Sequence, residues 1–309
     1  MNADFWILLT AILASSACAM VGVWLVVRQQ AMLGDAISHA VLPGLVLAFL
    51  LSGSRSVVPM LLGAIASGIV TVFLTDLLSR TGRLYRDAAL GIVFTFLFAV
   101  GVILVTLYTG MVDLDQECVL YGEIAYVPWD LFTFGGTSIG PRAVWILGGA
   151  LLLNLLLIGF TYRRLLITSF DPRLSRTLGM HERLWHYLLM IFVAFTIVAA
   201  FEVVGAILIV ALLIIPAATA VLMSSRMSSI FLIALGVGIL ASFSGFYLAA
   251  SQDASISGAI AVSAGLIFAL VMLGSWLLTK LHRQRQRESA HDYERKAIAS
   301  RSTGNLPRT

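Results

Sequence analysis

Nine long runs of apolar residues constrain the fold of this chain more than any other feature of its sequence. Most of them are about 20 residues long, the length of an α-helix that crosses the hydrocarbon core of a bilayer. The runs cover residues 5–27, 31–51, 57–79, 88–109, 142–162, 186–201, 203–223, 229–249 and 258–279. We therefore predict an all-α, polytopic bundle of transmembrane helices with about nine spans.

The composition also indicates a membrane protein. Of the 309 residues, 60% are hydrophobic and 12% are charged. A soluble domain has about 25% charged residues and less than half apolar ones. The run 5–27 is too long for the apolar region of a signal peptide, and no basic residue precedes it, so we predict a retained helix. Cys18 and Cys118 support neither a disulfide framework nor a paired metal motif.

The number of spans depends on residues 186–223. Glu202 and Gly205 interrupt one long apolar tract there, which can form either two short spans or one span and a broken helix. The first reading gives nine spans and the second gives eight. Polar or irregular backbone at this depth has to face protein or a cavity and not lipid.

Positively charged residues predict the orientation of the chain, because Lys and Arg concentrate in short cytoplasmic loops. With nine spans, one side of the membrane receives Arg28, Arg80, Arg83, Arg86, Arg163, Arg164, Arg173, Arg176, Arg183, Arg226, Lys280, Arg283, Arg285 and Arg287. This distribution predicts an N-terminus outside the cell and a C-terminus inside it. Asp76, near the inner end of its run, is interpreted as an end-of-helix charge.

Two segments differ from the apolar remainder. Residues 1–281 are predicted to form one transmembrane domain, and residues 282–309 a basic, disordered cytoplasmic tail. The loop 110–141 is predicted to lie outside and is acidic, with Asp113, Asp115, Glu117, Glu123 and Asp130. Its charges can steer cations over long range, an effect that salt screens, or can simply be solvated.

The most informative segment for chemistry is 32–51, which begins MLGDAISHAVLPG. Asp35 and His39 are four residues apart and therefore share one face of a helix. Ionisable residues inside apolar spans often mark substrate or ion pathways, and a carboxylate with an imidazole suits a first-row divalent metal. Ser38 and a second subunit could complete the ligands. The alternative is that Asp35 caps the helix and His39 hydrogen-bonds to a neighbouring helix. Pro43 and Gly44 are expected to loosen the helix.

Two further segments are predicted to form short helices at the cytoplasmic surface. In SFDPRLSRTLGM at 169–180, Asp171 and Pro172 are typical of an N-cap and a first helical turn, with Gly179 beyond the end. In the second segment, Pro216 is expected to stop or kink its span, giving a short helix over 216–228 that includes Arg226. The first segment can dock on a partner or simply connect spans, and the alternative for the second is a routine kinked helix.

Signatures of enzymes are missing from the sequence. It contains no GxxxxGK[ST] phosphate loop, so we do not expect the chain to bind ATP in that manner. His181-Glu182 also lacks a second histidine at the zinc-protease spacing. We therefore predict a transporter subunit and not an enzyme.

Together these segments resemble the membrane subunits of the metal-type ABC importers, the ABC-3 permeases for manganese, zinc and iron(II). The resemblance is carried by GDAISHAVLPG at 34–44, LLITSFDPRLSRTLGM at 165–180 and GAILIVALLIIPAATA at 205–220. A weaker match is GFYLAASQDASISGAIAV at 245–262, where the family usually has Pro-Ser-Gly and this chain has Ile256-Ser257-Gly258. The resemblance as a whole extends from residue 5 to about residue 280.

The resemblance implies a set of partners and roles. Two permease chains, identical or closely similar, would work with a cytoplasmic ATP-binding subunit and an extracytoplasmic metal-binding protein in the bacterial cytoplasmic membrane, without nucleic acid. Asp35 and His39 would be metal ligands of the pathway, and the chain itself would hold no cofactor. The segments around Asp171, Pro172, Pro216 and Arg226 would couple to the ATPase. Manganese is favoured over zinc and iron(II) from DLDQECVLYGEIAY in the acidic loop.

Other functions remain open at this point. An autonomous channel or secondary carrier could use Asp35 and His39 as an ion site, and it would draw on an ion gradient instead of an ATPase. An intramembrane metalloprotease would need a nucleophile or a full set of metal ligands, and the sequence offers neither. An importer of vitamin B12 or siderophores would not need an Asp–His pair.

Overall fold

The computed structural model describes residues 3–53, 57–82, 84–108, 124–134, 137–277 and 280. The first half of the chain forms α1 (Ala3–Val27), α2 (Met32–Ser52), α3 (Val57–Thr81) and α4 (Arg86–Tyr108). A 3₁₀ helix (Ile124–Trp129) and an antiparallel hairpin of β1 (Leu131–Phe134) and β2 (Thr137–Pro141) follow. The second half forms α5 (Arg142–Phe170), α6 (Pro172–Thr177), α7 (Glu182–Met223), α8 (Met227–Gln252) and α9 (Ile256–Leu277).

Within these described ranges, nine helices are long and apolar enough to cross a membrane, which confirms the predicted fold class. Two of them, Glu182–Phe201 and Val203–Met223, belong to α7. Nine spans among the described residues put Ala3 and Leu277 on opposite sides of the membrane. The Lys and Arg distribution defines the inner, cytoplasmic side of the bundle and its outer side.

The two halves of α7 run in opposite directions. Gly205 has φ 77° and ψ 164°, a conformation essentially restricted to glycine, and it interrupts the helix. A Cβ added to Gly34 would meet the side chains of both Leu213 and Ile197. Sixteen residues of continuous helix span about 24 Å, so these two side chains could not both reach Gly34 unless the chain turned back. The sequence reading with two spans over 186–223 is therefore the correct one.

Helix α1 packs in the centre of the second half of the bundle. Its small residues allow close approach, and Gly22 lies directly against the carbonyl of Leu213 in α7. At its inner end the buried Trp24 makes edge-to-face contacts with Tyr162 of α5 and Phe231 of α8. This core fixes the turn that leads from α1 into α2.

Helix α2 packs against α3 and α4 through glycines. Gly44 of α2 faces Gly63 of α3, and Gly101 of α4 lies against Pro43. Helix α2 continues without a break through Pro43 and Gly44, where the sequence predicts a looser helix, and ends at Ser52. Close packing against two glycine-containing neighbours holds the helix together where the proline removes a backbone donor.

Part of the predicted polar regions falls outside the described residues. This holds for the tail 282–309 and for Asp113, Asp115, Glu117 and Glu123 of the acidic loop. The described part of that loop, including Asp130, forms the 3₁₀ helix and the hairpin. Its base is close to α1, because Gly140 lies against the indole ring of Trp6.

Candidate functional site

Asp35 and His39 lie together on the first turns of α2. The Nε2 atom of His39 is 3.5 Å from Oδ1 of Asp35, and their side chains are 35% and 34% exposed. No side chain caps this helix, whose N-cap residue is Ala31 in helical geometry. The capping role considered for Asp35 therefore does not apply, and the polar contact of His39 in the described chain is with Asp35 and not with a neighbouring helix.

Aromatic side chains from α4 flank His39. The ring of Phe94 lies 6.2 Å from the imidazole centroid, and the ring of Phe98 lies 6.0 Å away in an edge-to-face arrangement. Charges and dipoles interact more strongly beside such apolar walls than in water. The Asp35–His39 pair therefore has an apolar wall on its α4 side and is partly exposed on its other sides.

The ligand set of this chain is incomplete. Ser38 is buried, and its hydroxyl donates to the backbone carbonyl of Asp35 at 2.7 Å, so it is committed to the helix. Across the described ranges, no group of three or more His, Cys, Asp or Glu residues could hold a metal ion. Asp35 and His39 offer one carboxylate and one imidazole, and a bound cation would need further donors from outside these residues.

The turn before α2 is anchored to the inner end of α5. Arg28 donates from Nε to the hydroxyl of Ser169 at 2.8 Å and from Nη2 to Thr168 at 3.2 Å. Burial lowers the pKa of Arg28 to about 10, with Glu182 opposing this shift and Arg86 adding to it. The guanidinium therefore remains charged at neutral pH. Its hydrogen bonds connect the turn that precedes Asp35 to α5.

The predicted cytoplasmic helix at 169–180 is present as α6. Asp171 accepts a hydrogen bond from the backbone N–H of Leu174 at 2.9 Å, and Pro172 occupies the first turn. Gly179 follows the helix with φ 70°. The N-cap and the end of this element were therefore correctly predicted from the sequence.

The prediction that Pro216 begins a separate short helix is wrong. Helix α7 keeps helical geometry through Pro216 and ends at Met223, so no separate helix forms over 216–228. The proline ring packs beside Gly238 of α8, whose missing Cβ leaves room for the hydroxyl of Ser15. Arg226 lies in the exposed link between the two helices, as the residue before α8. The residues predicted to couple to an ATPase thus lie at the start of α6 (Asp171 and Pro172), inside α7 (Pro216) and in the α7–α8 link (Arg226).

Sequence reasoning missed a charged cluster at the inner ends of three helices. Asp76 of α3 is 7% exposed. Its Oδ1 lies 3.1 Å from Nη2 of Arg86, the first residue of α4, and its Oδ2 lies 3.3 Å from Nε2 of His186 in α7. Asp76 lies near the inner end of α3, as interpreted from the sequence, but its carboxylate is buried and paired. The available signal was an ionisable residue within an apolar run.

Comparisons with known proteins identify the family. The sequence profile of the ABC 3 transport family matches residues 2–275. The chain is 44% identical over 275 residues to the manganese transport system membrane protein MntD of Bacillus subtilis, covering 89% of this chain and 93% of that protein. It is 43% identical over 269 residues to the zinc transport system membrane protein TroD of Treponema pallidum, covering 87% of this chain and 73% of that protein.

A solved structure agrees with these sequence matches. The fold is similar to that of PsaBC from Streptococcus pneumoniae in complex with Fab, with a TM-score of 0.72 and 31% identity, over 88% of this chain and 91% of that chain. The nine spans and these relatives identify a multi-pass protein of the bacterial cytoplasmic membrane. The chain belongs to the ABC 3 transport family.

Proposed function

We propose that this chain is the membrane-spanning permease subunit of an ABC importer for divalent transition metal ions, with manganese favoured and zinc or iron(II) as alternatives. The observation that carries the proposal is the half-open Asp35–His39 pair on α2 in a member of a transport family. Relatives named for manganese and for zinc transport support this substrate class.

Asp35 and His39 are the proposed metal ligands. A carboxylate oxygen suits manganese, and an imidazole nitrogen suits zinc and iron. A transport site has to release its ion, so two ligands from one chain are chemically appropriate where a full cage would not be. Both side chains are about one-third exposed, which leaves room for water or for donors from a second permease chain, identical or closely similar.

The chain is proposed to work with two further partners. A cytoplasmic subunit binds ATP and docks near α6, around Asp171 and Pro172, and near the α7–α8 link at Arg226, both of which are exposed connections on the inner side. Pro216 lies seven residues before the end of α7 and belongs to the same coupling region. An extracytoplasmic metal-binding protein delivers the ion at the outer loop 110–141.

The energy source separates this proposal from an autonomous carrier. We suggest reconstituting the purified chain with its ATPase and binding protein in liposomes and measuring the movement of radioactive manganese. The proposal predicts movement that requires ATP hydrolysis and stops with a hydrolysis-deficient ATPase. Movement that continues without ATP and follows an imposed ion gradient would overturn the proposal in favour of the carrier.

A further inference from the structure

The cluster of Asp76, Arg86 and His186 joins three helices that all contact α2. Nη2 of Arg86 lies 3.1 Å from Asp76 and 3.4 Å from Nε2 of His186, so one guanidinium nitrogen bridges α3, α4 and α7. Because α2 carries Asp35 and His39, the three helices form much of the immediate surroundings of the candidate site.

Burial makes this cluster important for the position of α4. Asp76 and His186 are largely shielded from solvent, whereas Arg86 is about one-third exposed. Removing one partner of a buried ion pair leaves an uncompensated charge, which is strongly unfavourable. Oδ2 of Asp76 meets only Nε2 of His186, and Nε of Arg86 has no hydrogen-bond partner among the described residues, so the arrangement is held by a few directed contacts and not by a saturated network.

Helix α4 connects this cluster to His39. Arg86 is its first residue, and Phe94 and Phe98, which flank the imidazole, follow eight and twelve residues later. Twelve residues of helix extend over about 18 Å as one rigid element. A shift or tilt of α4 at Arg86 therefore moves the aromatic wall beside His39.

We propose that Asp76, Arg86 and His186 are positioning residues for the metal pathway, which hold α4 so that Phe94 and Phe98 remain beside His39. This inference rests on the proposed function, because it assigns the cluster to the same metal site. The inference adds to the site three residues that do not contact the ion. Breaking the cluster is expected to weaken the interaction with metal even though Asp35 and His39 are intact.

The first test measures uptake of radioactive manganese as a function of metal concentration in cells with the complete transporter. Arg86→Ala is expected to raise the half-saturating concentration by about threefold to tenfold. Arg86→Lys, which keeps a positive charge, is expected to have a half-saturating concentration close to that of the wild type. Asp87→Asn is the matched control, because Asp87 is the exposed neighbour outside the cluster. An unchanged half-saturating concentration in Arg86→Ala, even with reduced maximal uptake, overturns the proposal.

A second test does not depend on transport. Spin labels at Met32 of α2 and Ile92 of α4, both exposed, report the distance between these helices in the purified complex after Cys18 and Cys118 are replaced by alanine. Arg86→Ala is expected to shift or broaden the distance distribution, and Asp87→Asn to leave it unchanged. An unchanged distribution in Arg86→Ala overturns the positioning role. If the wild type transports no metal, the proposed function fails, and the spin-label result still decides whether the cluster positions α4.

Discussion

The hydroxyl of Ser257, near the start of α9, donates a hydrogen bond to the backbone carbonyl of Val204 in α7 at 3.2 Å. Val204 immediately precedes Gly205, where the helical geometry is interrupted. A buried carbonyl at such a break needs a partner from elsewhere, and Ser257, itself buried, supplies it. The contact ties the reversal of α7 to the outer end of α9, in the segment where the family usually has Pro-Ser-Gly.

The conformation of Gly205 leads to a prediction about stability. In Gly205→Ala a residue with a side chain has to adopt φ 77° and ψ 164°, and this backbone strain lowers the free energy of unfolding by about 1–3 kcal/mol. We expect a lower midpoint of thermal unfolding for the purified protein in detergent. Gly159→Ala is the control, because an added Cβ there meets no atom within 4 Å and lies in a regular helix. Equal midpoints for the two variants would show that the turn tolerates a side chain.

The buried hydrogen bond between Asn154 and Thr196 is predicted to couple α5 and α7. Nδ2 of Asn154 lies 2.9 Å from the Thr196 hydroxyl and also donates to the Ala17 carbonyl of α1 at 3.3 Å. Interhelical hydrogen bonds in membranes contribute about 0.6 kcal/mol on average. A double-mutant cycle of Asn154→Leu and Thr196→Val should give a coupling energy of about 0.5–1.7 kcal/mol. Strict additivity of the two substitutions would mean that the bond contributes no stability.

The N-cap of α6 is predicted to matter for coupling to the ATPase. Asp171→Ala removes the hydrogen bond to Leu174 and destabilises this short helix by about 1 kcal/mol. Asp171→Asn retains a capping oxygen. We therefore expect ATP-driven metal uptake to fall in the alanine variant and to be largely kept in the asparagine variant, at equal amounts of protein in the membrane. The coupling role of α6 fails if both variants transport like the wild type.

The spans were predictable from the sequence because hydropathy and length indicate directly whether a helix lies in lipid or in water. It also predicted the contact of Asp35 with His39, since four residues along one helix are neighbours by geometry alone. The reversal at Gly205 was one of two readings, because a glycine permits this conformation but does not require it.

Contacts between distant segments were harder to predict from the sequence than the spans. Asp76, Arg86 and His186 come from three helices, and no periodicity within one helix indicates which residues of another helix it meets. The error at Pro216 has a similar origin. The proline signal is local, whereas helix α7 keeps helical geometry through Pro216 and packs beside α8.

The central claim is that Asp35 and His39 carry the metal, and uptake of radioactive manganese by cells with the complete transporter tests it most directly. We predict that Asp35→Ala and His39→Ala each reduce uptake by at least about tenfold, the effect of losing about 1.4 kcal/mol of interaction with the ion. Asp87→Ala and His181→Ala, which change exposed residues of the same types, should transport normally. Full uptake by the Asp35 and His39 variants, at membrane levels equal to the wild type, would contradict the account.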